Sequence, residues 1–305
     1  MDKMAENRAY NTIIYEKDKD NPRIAWIILN RPEKTNAISI GADKMTGELQ
    51  DALKRVDADQ EIKVVVIKAN GTHFCAGFDL SMVYRVYGGK PGFRPHQSER
   101  LRIDEEQLLG YPNAVFNCKK VTIAQVQGWC IEAGLWLVEL CDIAIAADNA
   151  KFAHRGQRLA FGGMPFPHEL VSGHTKKNVE LLITGRTVSG AQAEEMGIIT
   201  KAVPPEDLES EVYQLAEAIT LIPLDAICMG KMCRKHTFAE LGMNNWWNMI
   251  TYHTLGTNIT YREDEKDTLF IRDREKVGEK EAFHKLHRSM EEALAKTKYF
   301  KSYTG

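Results

Sequence analysis

The sequence is poor in several features that assign a class quickly. It has no CxxC pairs: Cys75, Cys118, Cys130, Cys141, Cys228 and Cys233 stand singly. Neither a zinc site nor a disulfide framework is expected, and reduced thiols in a cytoplasmic compartment fit better. It has no surplus of either charge, with 40 lysines and arginines against 42 aspartates and glutamates and a formal net charge of -2. Nothing global therefore draws the chain to nucleic acid or to a membrane surface. Long apolar runs are missing too. The best, Ile131 to Ala147, is broken by Glu132, Glu139 and Asp142, which argues against a membrane span. The opening "MDKMAENRAYNTII" has no signal-peptide apolar core. No internal repeat and no low-complexity tract is visible.

What the chain does have is alternation. "IAWIILN" (24–30), "VVVIKAN" (64–70), "VTIAQVQG" (121–128) and "IAIAAD" (143–148) read as buried strands, rich in valine and isoleucine and bounded by turn residues. A helical pattern runs from about Ser39 to Asp57. "SGAQAEEMG" (189–197) carries a capping box, Ser189 with Gln192 three residues on, and closes at Gly197. From about Pro205 the strand signal stops and the pattern stays helical. The expectation is an α/β core over residues 1–210 and a helical region over 211–305. The Gly- and Pro-rich insert "YRVYGGKPGFRPHQSER" (84–100) is either a loop beside a binding site or a plain surface excursion.

Two segments share a layout. "NGTHFCAGFDL" (70–80) follows the second strand and "QGWCIEAGLWL" (127–137) follows the third. Each reads as a strand, then small residues with glycine, then a helix start. Glycine permits backbone geometries that other residues avoid, and a helix start leaves N–H groups without internal partners. Two such turns side by side could aim two N–H groups at one oxygen. They could equally be ordinary strand–helix turns.

"LNRPEKTNAIS" (29–39), "HFCAGFDL" (73–80), the Gly128–Asp142 segment and "LITGRTVSGAQAEEMGIITKAVP" (182–204) resemble, in this order and spacing, the crotonase (enoyl-CoA hydratase/isomerase) superfamily. The resemblance runs from about Ile13 to Lys285. It implies an α/β fold built as a spiral of ββα turns, a C-terminal helical region that packs trimers, and acyl-CoA thioesters as ligands. Carried over by position, the oxyanion donors would be the backbone N–H groups of Phe78 and Ala133. Asp79, Leu80 and Trp136 would border the acyl group, and Lys34, Ala37 and Ala76 would meet the CoA nucleotide. "EKEAFHKLHR" (279–288) resembles the C-terminal segment that lends CoA an aromatic and a base, here Phe283 and Lys285. An ordinary amphipathic helix face would give the same pattern.

The resemblance breaks at the acids. A hydratase of this family holds water between two glutamates. Here the first place falls on Trp136 and the second, counted from Asp142 without gaps, on Gly156. The glycine-rich turn that follows is rewritten as "GGMPFPHE" (162–169), bringing His168 and Glu169. His154, two residues before Gly156, is either a replacement acid–base group or a satisfied turn histidine. Arg155 and Arg158 flank it and could bind a substrate carboxylate. Glu132 replaces the first glycine of the second turn, either as a catalytic carboxylate or as a brace. Trp136 is either a flat wall for a ring-shaped acyl group or a core residue. Glu106 and Tyr111 are further candidate pocket groups.

The resemblance thus implies an enzyme that hydrates or isomerises a cyclic or bulky unsaturated acyl-CoA through an enolate. Retro-Claisen or ring-opening hydrolysis of a cyclic oxo-acyl-CoA is the alternative, and a catalytically silent CoA-binding subunit a third. It implies no cofactor apart from the CoA of the substrate, no metal, and a homotrimer or homohexamer.

Overall fold

The computed structural model describes residues 9–81, 96–159, 175–243, 251, 254–255, 273 and 276–305. The chain begins with an antiparallel pair, β1 (Ile13–Lys17) and β2 (Ile24–Leu29), in which Tyr15 faces Ile27. Then α1 (Met45–Ala58) crosses to β3 (Val64–Ala69), which lies parallel to β2. The helix starts later than the apolar pattern at Ser39, because Ser39 caps it from outside. Its hydroxyl accepts the Met45 N–H at 3.1 Å and its carbonyl accepts the Thr46 N–H at 3.1 Å. Met45, Leu49, Ala52, Leu53 and Val56 form the buried face of α1, at the spacing of one helical stripe.

Next, α2 (Gln97–Ile103) and α3 (Gly110–Asn117), joined by a π-type turn at Asp104–Leu108, lead to β4 (Val121–Val126) beside β3. From here the chain serves two sheets in turn. A short β5 (Trp129–Ile131) enters the second sheet, α4 (Ala133–Leu140) crosses, and β6 (Ile143–Ala147) returns beside β4. Then β7 (Lys151–Ala153) goes back to β5, and past α5 (Thr175–Thr184), β8 (Val188–Ser189) joins it. The capping box at Ser189 forms with both of its bonds, opening α6 (Gly190–Glu195), and β9 (Lys201–Val203) closes the large sheet. Among the described residues the sheets run β1-β2-β3-β4-β6-β9 and β5-β7-β8. The helical part follows as α7 (Leu208–Ile219), α8 (Leu224–Phe238) and α9 (Glu279–Ala295).

All six residues of β2 are buried, and five of six in β3, so the central strands read as continuous apolar runs. The entry to β1 is pinned by Glu48 of α1, which is only 5% exposed. Its carboxylate accepts the N–H groups of Asn11 and Thr12 at 2.8 Å each and the Thr12 hydroxyl. No single helix among the described residues is long and apolar enough to cross a membrane. Most of the 84–100 insert, the 162–169 turn with His168 and Glu169, and the 244–253 aromatic run apart from Thr251 lie outside the described residues.

Candidate active site

The two glycine-bearing turns lie against each other like a short parallel ladder. Phe74 N–H donates to the Gln127 carbonyl at 2.8 Å, Cys75 N–H to Trp129 at 2.9 Å, and Ile131 N–H to Cys75 at 2.9 Å. Cys75 and Cys130 form the bridge at its centre, both fully buried, and burial pushes the Cys75 thiol up to about 12. Just beyond it the turns meet again at Gly77 and Glu132, and Phe78 and Ala133 are the next residue on each turn.

The direction of both amides follows from their neighbours. Phe78 bridges Ile38, whose N–H donates to Gly77 O at 2.8 Å and whose carbonyl accepts Asp79 N–H at 2.9 Å. In such a ladder the middle residue turns its own N–H to the opposite side, here away from Ile38. Ala133 is the first residue of α4, so its N–H has no acceptor inside the helix. Among the described residues neither amide has a hydrogen-bond acceptor. The sequence placed a short loop between β4 and α4; the structure inserts β5 there, and that strand is what holds the two turns in register.

Glu132 sits directly before this amide with φ +48 and ψ −114. Such a backbone costs a residue with a side chain roughly 1–3 kcal/mol. Its carboxylate lies over Gly156: a Cβ at residue 156 would come 3.3 Å from Oε2 and 3.6 Å from Oε1. Gly77, at φ +91, gives way on the other side, where a Cβ would meet Glu132 Cβ at 3.2 Å. His154 follows β7 and places Nδ1 3.2 Å from Glu132 Oε1, with side-chain exposures of 4% for the histidine and 17% for the acid. The two candidate acid–base residues are therefore one pair.

An aromatic group stands beside the pair. The Phe78 ring meets Trp136 edge-on at 5.3 Å and Tyr111 edge-on at 6.4 Å. Trp136 is 5% exposed, so it is a core residue that also backs Phe78. The Tyr111 hydroxyl donates to the Ala133 carbonyl at 3.3 Å. Burial raises its phenol well above the ordinary value, and charge at Cys75 and Glu132 adds to the rise. Glu106 is not a pocket group: it is exposed and paired to Arg102 at 2.7 Å, because its turn points it outward. Asp79 pairs with Arg31 at 2.9 Å and accepts the Ser81 hydroxyl at 2.6 Å, bracing the turn, while Leu80 is half-buried.

At the other end, Lys34 closes a 3-10 turn, Pro32–Lys34, and is exposed. Thr35 and Asn36 follow in the left-handed region, and the Asn36 amide donates to the Asn70 and His73 carbonyls at 2.8 and 2.9 Å. Ala76 N–H reaches Thr35 O at 3.0 Å and Ala37 N–H reaches Lys34 O at 3.0 Å, so Lys34, Ala37 and Ala76 share one corner. Phe283 and Lys285 lie on α9, with Phe283 packed 4.1 Å from His287 and Lys285 paired to Asp273 at 3.2 Å. Arg158 takes part in this helix contact. It donates to Thr184 O at 2.6 Å and to Glu291 at 2.7 Å, and touches His287 Nδ1 at 3.4 Å. Arg155 is held by Thr187 Oγ1 at 3.1 Å and lies over the Trp129 ring at 5.4 Å.

Comparison with known proteins agrees with this architecture. The family model described as enoyl-CoA hydratase/isomerase matches residues 19–244. The hydroxycinnamoyl-CoA hydratase-lyase of Pseudomonas fluorescens is 32% identical over 228 residues, 71% of this chain and 78% of that one. The peroxisomal Delta(3,5)-Delta(2,4)-dienoyl-CoA isomerase of Arabidopsis thaliana is 28% identical over 218 residues, 69% and 77% of the two chains. An enoyl-CoA hydratase crystal structure from Mycobacterium smegmatis superposes with a TM-score of 0.78 at 25% identity, covering 96% of this chain and 98% of that one.

Proposed function

Because this chain belongs to the enoyl-CoA hydratase/isomerase family, we propose that it hydrates or isomerises an unsaturated acyl-CoA with a cyclic or bulky acyl group. The thioester oxygen accepts hydrogen bonds from Phe78 and Ala133. As a carbanion forms beside the carbonyl, negative charge moves onto that oxygen, where two fixed donors stabilise it without reorganising. Proton transfer falls to the Glu132–His154 pair beside the same turn. The CoA end lies at Lys34, Ala37 and Ala76, completed by Phe283 and Lys285. The observation that supports the reading is that two turns paired at Cys75 and Cys130 meet again at Gly77 and Glu132, with the next amides, Phe78 and Ala133, both lacking an acceptor among the described residues.

The size of the acyl group is inferred from Phe78, a half-buried ring backed edge-on by the buried Trp136 and Tyr111, an apolar surface suited to a planar ring. The name of the Pseudomonas relative, a hydroxycinnamoyl-CoA enzyme, supports an aromatic acyl chain. Calorimetry with phenylacetyl-CoA and free phenylacetate is the test. The thioester should bind more tightly, since its oxygen gains two N–H bonds and the nucleotide adds remote binding energy. Equal affinity for acid and thioester would sink the proposal.

A further inference from the structure

We infer that Glu132 is the proton-carrying residue of this site, that Gly77 and Gly156 make the space its carboxylate needs, and that His154 positions it. The assignment rests on the acyl-CoA reading above and deepens it by ordering the pair. Glycine would take the φ of residue 132 at no cost, yet the chain keeps a glutamate there in a strained backbone. The side chain then fills a gap created by two missing side chains, with Gly77 against its Cβ and Gly156 under its oxygens. His154 is the more buried partner, so the carboxylate is the outer member of the pair. The resemblance places a glycine at 132 and a glutamate at 156. Here the two are exchanged, and the carboxylate enters the space above residue 156 from the neighbouring turn.

The step balances without a co-reactant. Glu132 takes a proton from the α carbon of a β,γ-unsaturated acyl-CoA, and the C–H electron pair enters the conjugated enolate. The enolate oxygen is held by the Phe78 and Ala133 amides. Glu132 then returns the proton to the γ carbon, the double bond moves between α and β, and the carboxylate is restored.

The experiment reads α-proton exchange of phenylacetyl-CoA in D2O by mass spectrometry, alongside calorimetric binding, on the full chain. Glu132→Gln should slow exchange by roughly 10²–10⁴ and leave thioester affinity within about threefold. Glu132→Gly should lose exchange similarly while melting no lower than wild type, since its backbone strain is gone. Adding Gly156→Glu to Glu132→Gly should restore at least about tenfold of the loss, whereas Gly156→Glu alone crowds Glu132 and should impair exchange. His154→Ala should reduce exchange without weakening binding, and His154→Asn, whose shorter side chain offers Glu132 an amide donor, should recover part of it. Wild-type exchange in Glu132→Gln, or a double variant no better than Glu132→Gly, overturns the assignment while the acyl-CoA reading stands. Failure of the wild type to bind the thioester overturns both.

Discussion

Replacing the amide between Glu132 and Ala133 by an ester should lower the rate of phenylacetyl-CoA proton exchange by about 10²–10³, equivalent to roughly 3–4 kcal/mol of transition-state stabilisation. The change deletes one N–H and little else. As the first helical residue, Ala133 donates no bond inside α4, so the helix keeps its ladder. The Glu132 carbonyl, which accepts Trp136 N–H at 3.0 Å, becomes a weaker acceptor, and a small loss of stability should accompany the change. Thioester affinity should fall far less than the rate, because negative charge on the oxygen peaks on the way to the enolate. An ester at Leu135, whose N–H also lies in the first turn, is the control. Equal rates for the two esters would remove Ala133 from the site.

Acid should destabilise this protein through His287. Burial pushes its imidazole down from 6.5 to about 3, with Arg155, Arg158 and His284 adding to the shift. Glu291 faces the same cluster but is paired to Arg158 at 2.7 Å. The unfolded chain takes up a proton near the ordinary histidine value, while the folded chain refuses it until about pH 3. Between those values the unfolded state binds more protons, so stability falls as the pH falls. At pH 4.5 the loss amounts to about 2–3 kcal/mol relative to pH 7. Urea unfolding at both pH values should show this extra loss in wild type and not in His287→Gln. Parallel losses in the two proteins would assign the acid sensitivity elsewhere.

The parts of the fold that could be read from the sequence are those in which burial dictates composition. β2, β3, β4 and β6 are largely buried, so their residues are mostly apolar, Lys68, Thr122 and Gln125 excepted, and bounded by turns. β1 is a half-exposed edge strand, and β5, β7, β8 and β9 span two or three residues each, too few to set up a period. Their pairing depends on partners far along the chain. The site divides in the same way. Gly77 and Gly128 marked the turns, and Lys34, Ala37 and Ala76, which only the resemblance grouped, share one corner. That Glu132 leans over Gly156 was hidden because the contact consists of absent side chains on a separate turn. The commitment of Arg158 to α9 was hidden because its partner Glu291 lies 133 residues away.

The buried bridge beneath the two turns makes the cysteines a clock for this site. Cys75, Cys118 and Cys130 are buried, and Cys233 is exposed. Thiol reagents attack the thiolate, and Cys75 and Cys130 are held as neutral thiols well above their ordinary range. In the folded chain a reagent therefore meets Cys233 first, and modification of Cys75 or Cys130 waits for the ladder between the turns to open. The rate at which those two masses appear counts openings of the two turns themselves, separately from unfolding of the helical region. On the proposed binding mode, a thioester that bridges the Phe78 and Ala133 amides should tie the two turns together and slow that clock.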